Sequence, residues 1–221
     1  MSQTPIGPTP IGPTPIGPTP IGPTPIGPTP IGPGTFVAVV GASGVGKDAL
    51  IDHARARTPD TVRFPRRTIT RPAGAGEDHD PLDVEEFAAA VRAGALAVHW
   101  HAHGLDYGIP AQADEDLRAG RTVVANVSRG VLSELSRRCE HLVVVRVTVP
   151  DAVRAERLRA RSRESADAVA ARLHRADPAP DQHVDVEICN DGTREAGGEA
   201  LLATVLQADA AGRVADAGGP R

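Results

Sequence analysis

Apolar and polar positions alternate between two periods along most of the chain. Thr35–Val40 (TFVAVV) is a short unbroken apolar run, the pattern of a strand buried on both faces. Lys47–Arg57 then repeats at helical spacing and stops before Pro59. Val84–Ala93 reads as a helix with Phe87 and Val91 on one face and Gly94 as its stop, and Ala95–Ala102 as a strand. A short helix is expected over Gln112–Ala119, ended by Gly120, then a strand over Arg121–Val127 and a helix over Gly130–Arg138. His141–Val149 (HLVVVRVTV) is the strongest strand pattern of the chain. Helices follow at Pro150–Arg161 and Ala166–His174, a strand at Val184–Cys189 and a closing helix at Thr193–Leu206. Strands alternating with helices predict an α/β fold, with a mostly parallel sheet flanked by helices.

Residues 4–33 break this pattern. They are six copies of the pentad Thr-Pro-Ile-Gly-Pro and hold 12 of the 21 prolines. Each pentad lacks two backbone donors and has two fixed φ angles, so neither a helix nor a sheet ladder propagates through it. The period of five matches neither collagen nor a solenoid repeat. Residues 1–33 therefore read as a disordered tail with polyproline character, or as a ligand for a proline-binding module. One domain is expected over residues 34–207. Residues 208–221 show no periodicity and read as a fraying tail.

Composition narrows the functional classes. The chain has 221 residues, 24 Lys+Arg against 28 Asp+Glu and a net charge of −4. That balance argues against a dedicated nucleic-acid binder. No run of about 18 apolar residues suggests a membrane span, and the N-terminus lacks the pattern of a secretory leader. Only two cysteines are present, Cys139 and Cys189, without CxxC spacing. A reduced, cytoplasmic setting is the expectation, and a disulfide-stapled mini-protein is excluded.

The first candidate chemistry follows the first strand. Gly41-Ala42-Ser43-Gly44-Val45-Gly46-Lys47-Asp48 fits G-x-x-x-x-G-K in the strand–loop–helix setting which that motif requires. Glycines let successive backbone N–H groups curl toward phosphate oxygens, and the helix N-terminus adds its positive end. Lys47 is placed to reach the β- and γ-phosphates of a nucleotide. Asp48 stands where a Ser or Thr usually supplies a hydroxyl to Mg²⁺. A carboxylate there is a candidate magnesium ligand, or a first-turn acid that favours the helix dipole.

Three further segments carry polar chemistry. Arg63, Arg66, Arg67 and Arg71 place four guanidinium groups within nine residues, a planar fork suited to phosphate or a solvated basic loop. His99, His101 and His103 would share one face of a strand, as lining for an anionic pocket or as zinc ligands. Arg157, Arg161, Arg163 and Arg172 belong to a helix–loop–helix that reads as a lid over a triphosphate, or as an exposed helix laced with Arg–Glu pairs.

Taken in order, these motifs resemble the guanylate kinase superfamily over about residues 34–207: the phosphate loop, the arginine segment, Gly76-Glu77, Tyr107-Gly108 and the run from Arg161 to Leu173. The match is closer to the ribose 1,5-bisphosphate phosphokinases of phosphonate catabolism. GASGVGKD, RRTITRP, HWHAHGLDYGIP, VVANVSRGVL, RSRESADAVAARLHRA and ICNDGT carry it. Departures from guanylate kinases point the same way. Gly74 stands in place of a second arginine, Asp80-Pro81-Leu82-Asp83 in place of an acceptor tyrosine, and Asn126-Val127-Ser128-Arg129 in place of an acidic strand end. Loss of acids that pair with guanine N–H groups disfavours a base, and Arg129 suits a second phosphate.

The resemblance implies a P-loop kinase that uses ATP with Mg²⁺ to phosphorylate ribose 1,5-bisphosphate. It has an acceptor-binding part at about 63–110 and a lid at about 157–172. It implies catalytic roles for Lys47, Arg157, Arg161, Arg163 and Arg172, and ATP binding by Gly41, Ala42, Ser43, Gly44, Val45, Gly46, Lys47 and Asp48. Acceptor binding falls to Arg67, Arg71, Glu77, His101, Tyr107, Asn126, Ser128 and Arg129. A nucleoside monophosphate kinase, or a guanylate-kinase-like binding module without catalysis, is the competing expectation. Intact Lys47 and the arginine lid argue against the binding module.

Overall fold

A computed structural model of the chain describes residues 29–73, 78–161 and 182–217. Its frame is a five-stranded sheet in the order β2-β7-β1-β8-β9, with every paired neighbour parallel. The strands are β1 (Ile31–Val40), β2 (Val62–Arg63), β7 (Thr122–Asn126), β8 (Cys139–Thr148) and β9 (Val186–Cys189). The helices are α1 (Lys47–Arg55), α2 (Val84–Arg92), α3 (Gln112–Arg118), α4 (Leu132–Arg138), α5 (Asp151–Arg161) and α6 (Arg194–Ala217). This is the α/β arrangement expected from the sequence.

The unbroken apolar run of β1 has a direct tertiary meaning. Side chains alternate across a strand, so Phe36, Ala38 and Val40 enter one core and Val37 and Val39 the other. The first core is closed by Ala113 and Leu117 of α3 and by Leu132 and Leu135 of α4. The second is closed by Leu50, Ile51 and Ala54 of α1 and by Leu201, Leu202 and Val205 of α6. Burying a large aliphatic or aromatic side chain contributes about 1.5–3 kcal/mol. The two layers therefore clamp the central strand and hold the loop after Val40 on a rigid base.

A second sheet went unforeseen. Four strands, β4-β3-β6-β5, are built from β3 (Arg67–Ile69), β4 (His79–Pro81), β5 (Leu96–Ala102) and β6 (Leu105–Pro110). Val98 and Ile109 anchor it to the core beneath α3 and α4. β3 and β4 are three residues each, too short for a period to show, and the arginine segment therefore reads as a loop in sequence. Between β5 and β6, His103 (φ 59°) and Gly104 (φ 73°) make a turn with both central residues left-handed. His103 has thus left the strand, and His99, His101 and His103 do not form one strand-face trio. Among the described residues no three His, Cys, Asp or Glu side chains gather as a metal site.

Both ends of the domain extend further than the hydrophobic pattern suggests. β1 begins inside the last pentad, with Ile31 paired to Cys139. The closing helix continues to Ala217, past the expected end at Leu206. Asp209, 5% exposed, explains the second correction. It accepts hydrogen bonds from Thr61 (3.0 Å), Thr122 (3.1 Å) and Arg213, which ties α6 to the loop before β2 and to β7. Ala166–His174 lies outside the described residues. None of the described helices is long and apolar enough to cross a membrane. Cys139 is buried and Cys189 exposed, and both are free thiols.

Candidate active site

The carboxyl ends of β1 and β7 lie side by side, with Val39 opposite Asn126. In open α/β sheets the crevice beyond such strand ends receives ligands. Here the segment after β1 is the glycine-rich loop, and the segment after β7 carries Asn126, Ser128 and Arg129.

The loop is held from three sides. Asn190, which follows β9, donates from Nδ2 to the Val45 carbonyl at 2.8 Å. Arg157 of α5 donates to the same carbonyl at 3.4 Å, and Arg154 Nε to the Ser43 carbonyl at 3.1 Å. Gly46 has φ 94°, a left-handed conformation that costs other residues energy. A Cβ there would lie 2.7 Å from Asn190 Nδ2. Glycine at this place is therefore required by both the backbone and the close packing of the amide. Asn190 Oδ1 is buried and has no hydrogen-bond partner among the described residues.

Lys47, first residue of α1, turns its ammonium back onto the loop and donates to the carbonyls of Gly41 (2.7 Å) and Ala42 (3.1 Å). Burial pushes its pKa down to about 8. Asp48 opposes that shift, and the like charges of Arg67, Arg129 and Arg154 add to it. Four cations thus converge on one crevice, a place prepared for polyanionic charge.

Asp48 is where the two sheets meet electrostatically. Its Oδ1 accepts from Asn126 Nδ2 at 2.7 Å and from Arg67 at 3.2 Å. Arg67 is the first residue of β3, so this carboxylate links the P-loop helix, the end of β7 and the small sheet. The donor set decides against a magnesium ion on that oxygen, because both of its neighbours are N–H donors and one is a cation. A magnesium ion carried by phosphates and water needs no protein cage and is compatible with the crevice.

The four arginines of the 63–71 segment separate into different roles. Arg66 pairs with Asp78 (2.9 Å) and Asp80 (3.2 Å) and donates to the His79 carbonyl, bracing β4. Arg63 faces Asp116 at 3.9 Å. Arg67 reaches the Lys47 group, and Arg71 is exposed beyond the end of β3. Ser128 accepts from Gly130 N–H and caps the short 3₁₀ turn that presents Arg129. Tyr107 of β6 stacks on Trp100 with centroids 5.5 Å apart. His101 is exposed and bonded through Nδ1 to Asp106 across the hairpin; among the described residues no hydrogen bond or ion pair joins it to the Lys47 group. Arg161 ends α5. Glu77, Arg163 and Arg172 lie outside the described residues.

Two residues of the crevice escaped the sequence reading. Arg154 lies three residues before Arg157 and seven before Arg161. The three-residue spacing puts Arg154 and Arg157 on one helix face, and following it back from Arg157 would have found Arg154. Asn190 lies in the ICNDGT stretch, but its bond to the P-loop spans 145 residues and left no local trace.

No family model matches the chain. A ribose 1,5-bisphosphate phosphokinase PhnN from Pseudofrankia inefficax is 62% identical over 179 residues, 81% of this chain and 93% of that protein. One from Chelativorans sp. is 44% identical over 188 residues, 83% of this chain and 90% of that protein. Among solved structures, a guanylate kinase from Anaplasma phagocytophilum superposes with a TM-score of 0.58 at 19% identity. The superposition covers 79% of this chain and 85% of that one. At that identity the likeness is one of fold.

Proposed function

The chain belongs to the ribose 1,5-bisphosphate phosphokinases, and on that premise we propose the following reaction. The enzyme transfers the γ-phosphoryl group of ATP to the 1-phosphate of α-D-ribose 1,5-bisphosphate, a step in phosphonate breakdown. An oxygen of the acceptor phosphate forms a bond to Pγ, and the bond from Pγ to the β,γ-bridging oxygen breaks. The products are 5-phospho-α-D-ribose 1-diphosphate and ADP. The observation that carries this reading is the crevice itself, where Lys47, Arg67, Arg129 and Arg154 converge beside the glycine-rich loop.

The chemistry fits the residues. The nucleophile is already an anionic phosphate oxygen, so no general base is required, and the carboxylate of Asp48 is engaged by two donors. Loop N–H groups and the start of α1 receive the β- and γ-phosphates. Lys47 exchanges its two carbonyl partners for phosphate oxygens. Arg154 and Arg157, moored on the loop carbonyls, add charge beside them, and Arg161, Arg163 and Arg172 complete the lid by family likeness. Magnesium bound with the nucleotide would supply further charge neutralisation there. Arg67, Arg71 and Arg129 position the doubly phosphorylated acceptor, and stabilising the developing charge at a fixed distance does most of the work. Two free thiols support a reducing compartment, the cytoplasm.

The rival acceptor is GMP, the acceptor that the sequence resemblance to guanylate kinases implies. The polar, non-acidic end of β7 favours the sugar. The deciding experiment is steady-state kinetics with ATP, Mg²⁺ and each acceptor, with the product identified by mass. Arg129→Ala is expected to lower kcat/KM for the sugar bisphosphate by roughly 30- to 1000-fold, the scale of one preorganised charged donor. ATP binding should change little. A wild-type preference for GMP, or a silent Arg129→Ala, refutes the reading.

A further inference from the structure

Asp48 is 62% exposed in its side chain, yet its Oδ1 holds two donors from different sheets. The amide bond to Asn126 is 2.7 Å and the guanidinium bond to Arg67 is 3.2 Å. A carboxylate accepts only, so Asn126 must turn its NH₂ toward Asp48. That choice points the carbonyl oxygen of Asn126 and its second N–H elsewhere, a donor and an acceptor suited to sugar hydroxyls. Arg67 spends one N–H on Asp48 and keeps the rest of its fork for a phosphate.

The same contact offsets a repulsion. Arg67 is only 21% exposed in its side chain and shares the crevice with the cations of Lys47, Arg129 and Arg154. Charges of one sign at that range disfavour each other, and without a counter-charge the flexible arginine gains by swinging to solvent. A Ser or Thr hydroxyl at this position is neutral and shorter, so it offers no such hold.

We propose that Asp48 is a positioning residue of the acceptor site, which aligns Arg67 and Asn126 for the sugar bisphosphate and is not a ligand of the metal. The inference rests on the acceptor assignment above and adds the residue that makes a phosphate loop selective for it. It also explains why the usual hydroxyl residue is absent: its place is taken by a group that serves the other substrate.

The test uses the full chain with Asp48→Ser, which restores the ordinary hydroxyl, and Asp48→Asn, which keeps the shape without the charge. Sugar bisphosphate binding is measured by calorimetry without ATP or Mg²⁺. The KM for each substrate and the half-saturating Mg²⁺ concentration are measured in turnover. Asp48→Ser is expected to weaken acceptor binding by roughly 10- to 100-fold, the scale of lost charge-assisted hydrogen bonds, with a smaller loss in Asp48→Asn. The Mg²⁺ requirement should stay within about twofold, and adding Arg67→Ala should cost little more, because the two residues act as one unit. Acceptor binding within twofold of wild type in Asp48→Ser overturns the proposal, as does a tenfold rise in the Mg²⁺ requirement. If the wild type uses the sugar bisphosphate while Asp48→Ser binds it equally well, only the role of Asp48 falls. If the wild type does not use it, the acceptor assignment falls and takes this inference with it.

Discussion

Replacing Gly46 by alanine tests how the phosphate loop is held. Two costs arise. The first is backbone strain at φ 94°, about 1–3 kcal/mol for a residue with a Cβ. The second is steric, because the new methyl group would stand 2.7 Å from Asn190 Nδ2. That amide has little room to retreat: Gly197 crowds its other end, where a Cβ would meet Asn190 Oδ1 at 2.7 Å. Displacing it breaks the bond to the Val45 carbonyl and leaves buried polar groups unpaired, about 1–3 kcal/mol more. The expected total is about 2–6 kcal/mol. Gly94→Ala is the control, since Gly94 also has a positive φ (66°) but nothing lies within 4 Å of its Cβ position. It should cost about 1–2 kcal/mol, from strain alone. Denaturant titrations of both variants, with m-values compared, give the difference, and ATP kinetics should be impaired only for Gly46→Ala. In an Asn190→Ala background the extra cost of Gly46→Ala should shrink. Equal destabilisation of the two glycine variants would show that Asn190 does not clamp the loop.

Three other outcomes are expected. Lys47 titrates near pH 8 when no ligand is bound, so kcat/KM for ATP should fall as pH rises through about 8. The limb seen in kcat should lie higher, because bound phosphate favours the ammonium. Stability runs the other way. Between about 8 and 10.5 the unfolded chain holds a proton on this lysine that the folded one lacks, so this group's contribution rises with pH across that window. Deleting residues 1–28 should leave the melting temperature within about 2 °C. Deleting 1–33 removes the pairing of Ile31 with Cys139 and should cost about 1 kcal/mol, or about 2–4 °C. Asp209→Ala should destabilise by about 2–4 kcal/mol in denaturant titration, since it leaves the Thr122 hydroxyl and Arg213 without their buried acceptor.

What the sequence determined by itself is everything that depends on neighbours along the chain. The run Thr35–Val40, the helical spacing after Lys47 and the stop at Gly94 are local patterns, and each element appeared within a few residues of where they put it. The phosphate loop was legible for the same reason, because strand, glycines, lysine and helix are contiguous. Tertiary structure decided what contiguity cannot carry. β3 and β4 are three residues long and owe their existence to pairing with β6 and each other, so no period announced them. Residues 208–217 lack a clear apolar stripe, and the helix persists there because Asp209 is gripped by Thr61 and Thr122 from distant segments. Arg63, Arg66 and Arg67 look alike in sequence; only folding sends the first to Asp116, the second to Asp78 and Asp80, and the third to Asp48 in the crevice. Asp48 is the clearest case. Its place after Lys47 suggests a metal ligand, and only the fold brings Asn126, 78 residues away, and Arg67, from the other sheet, onto its Oδ1.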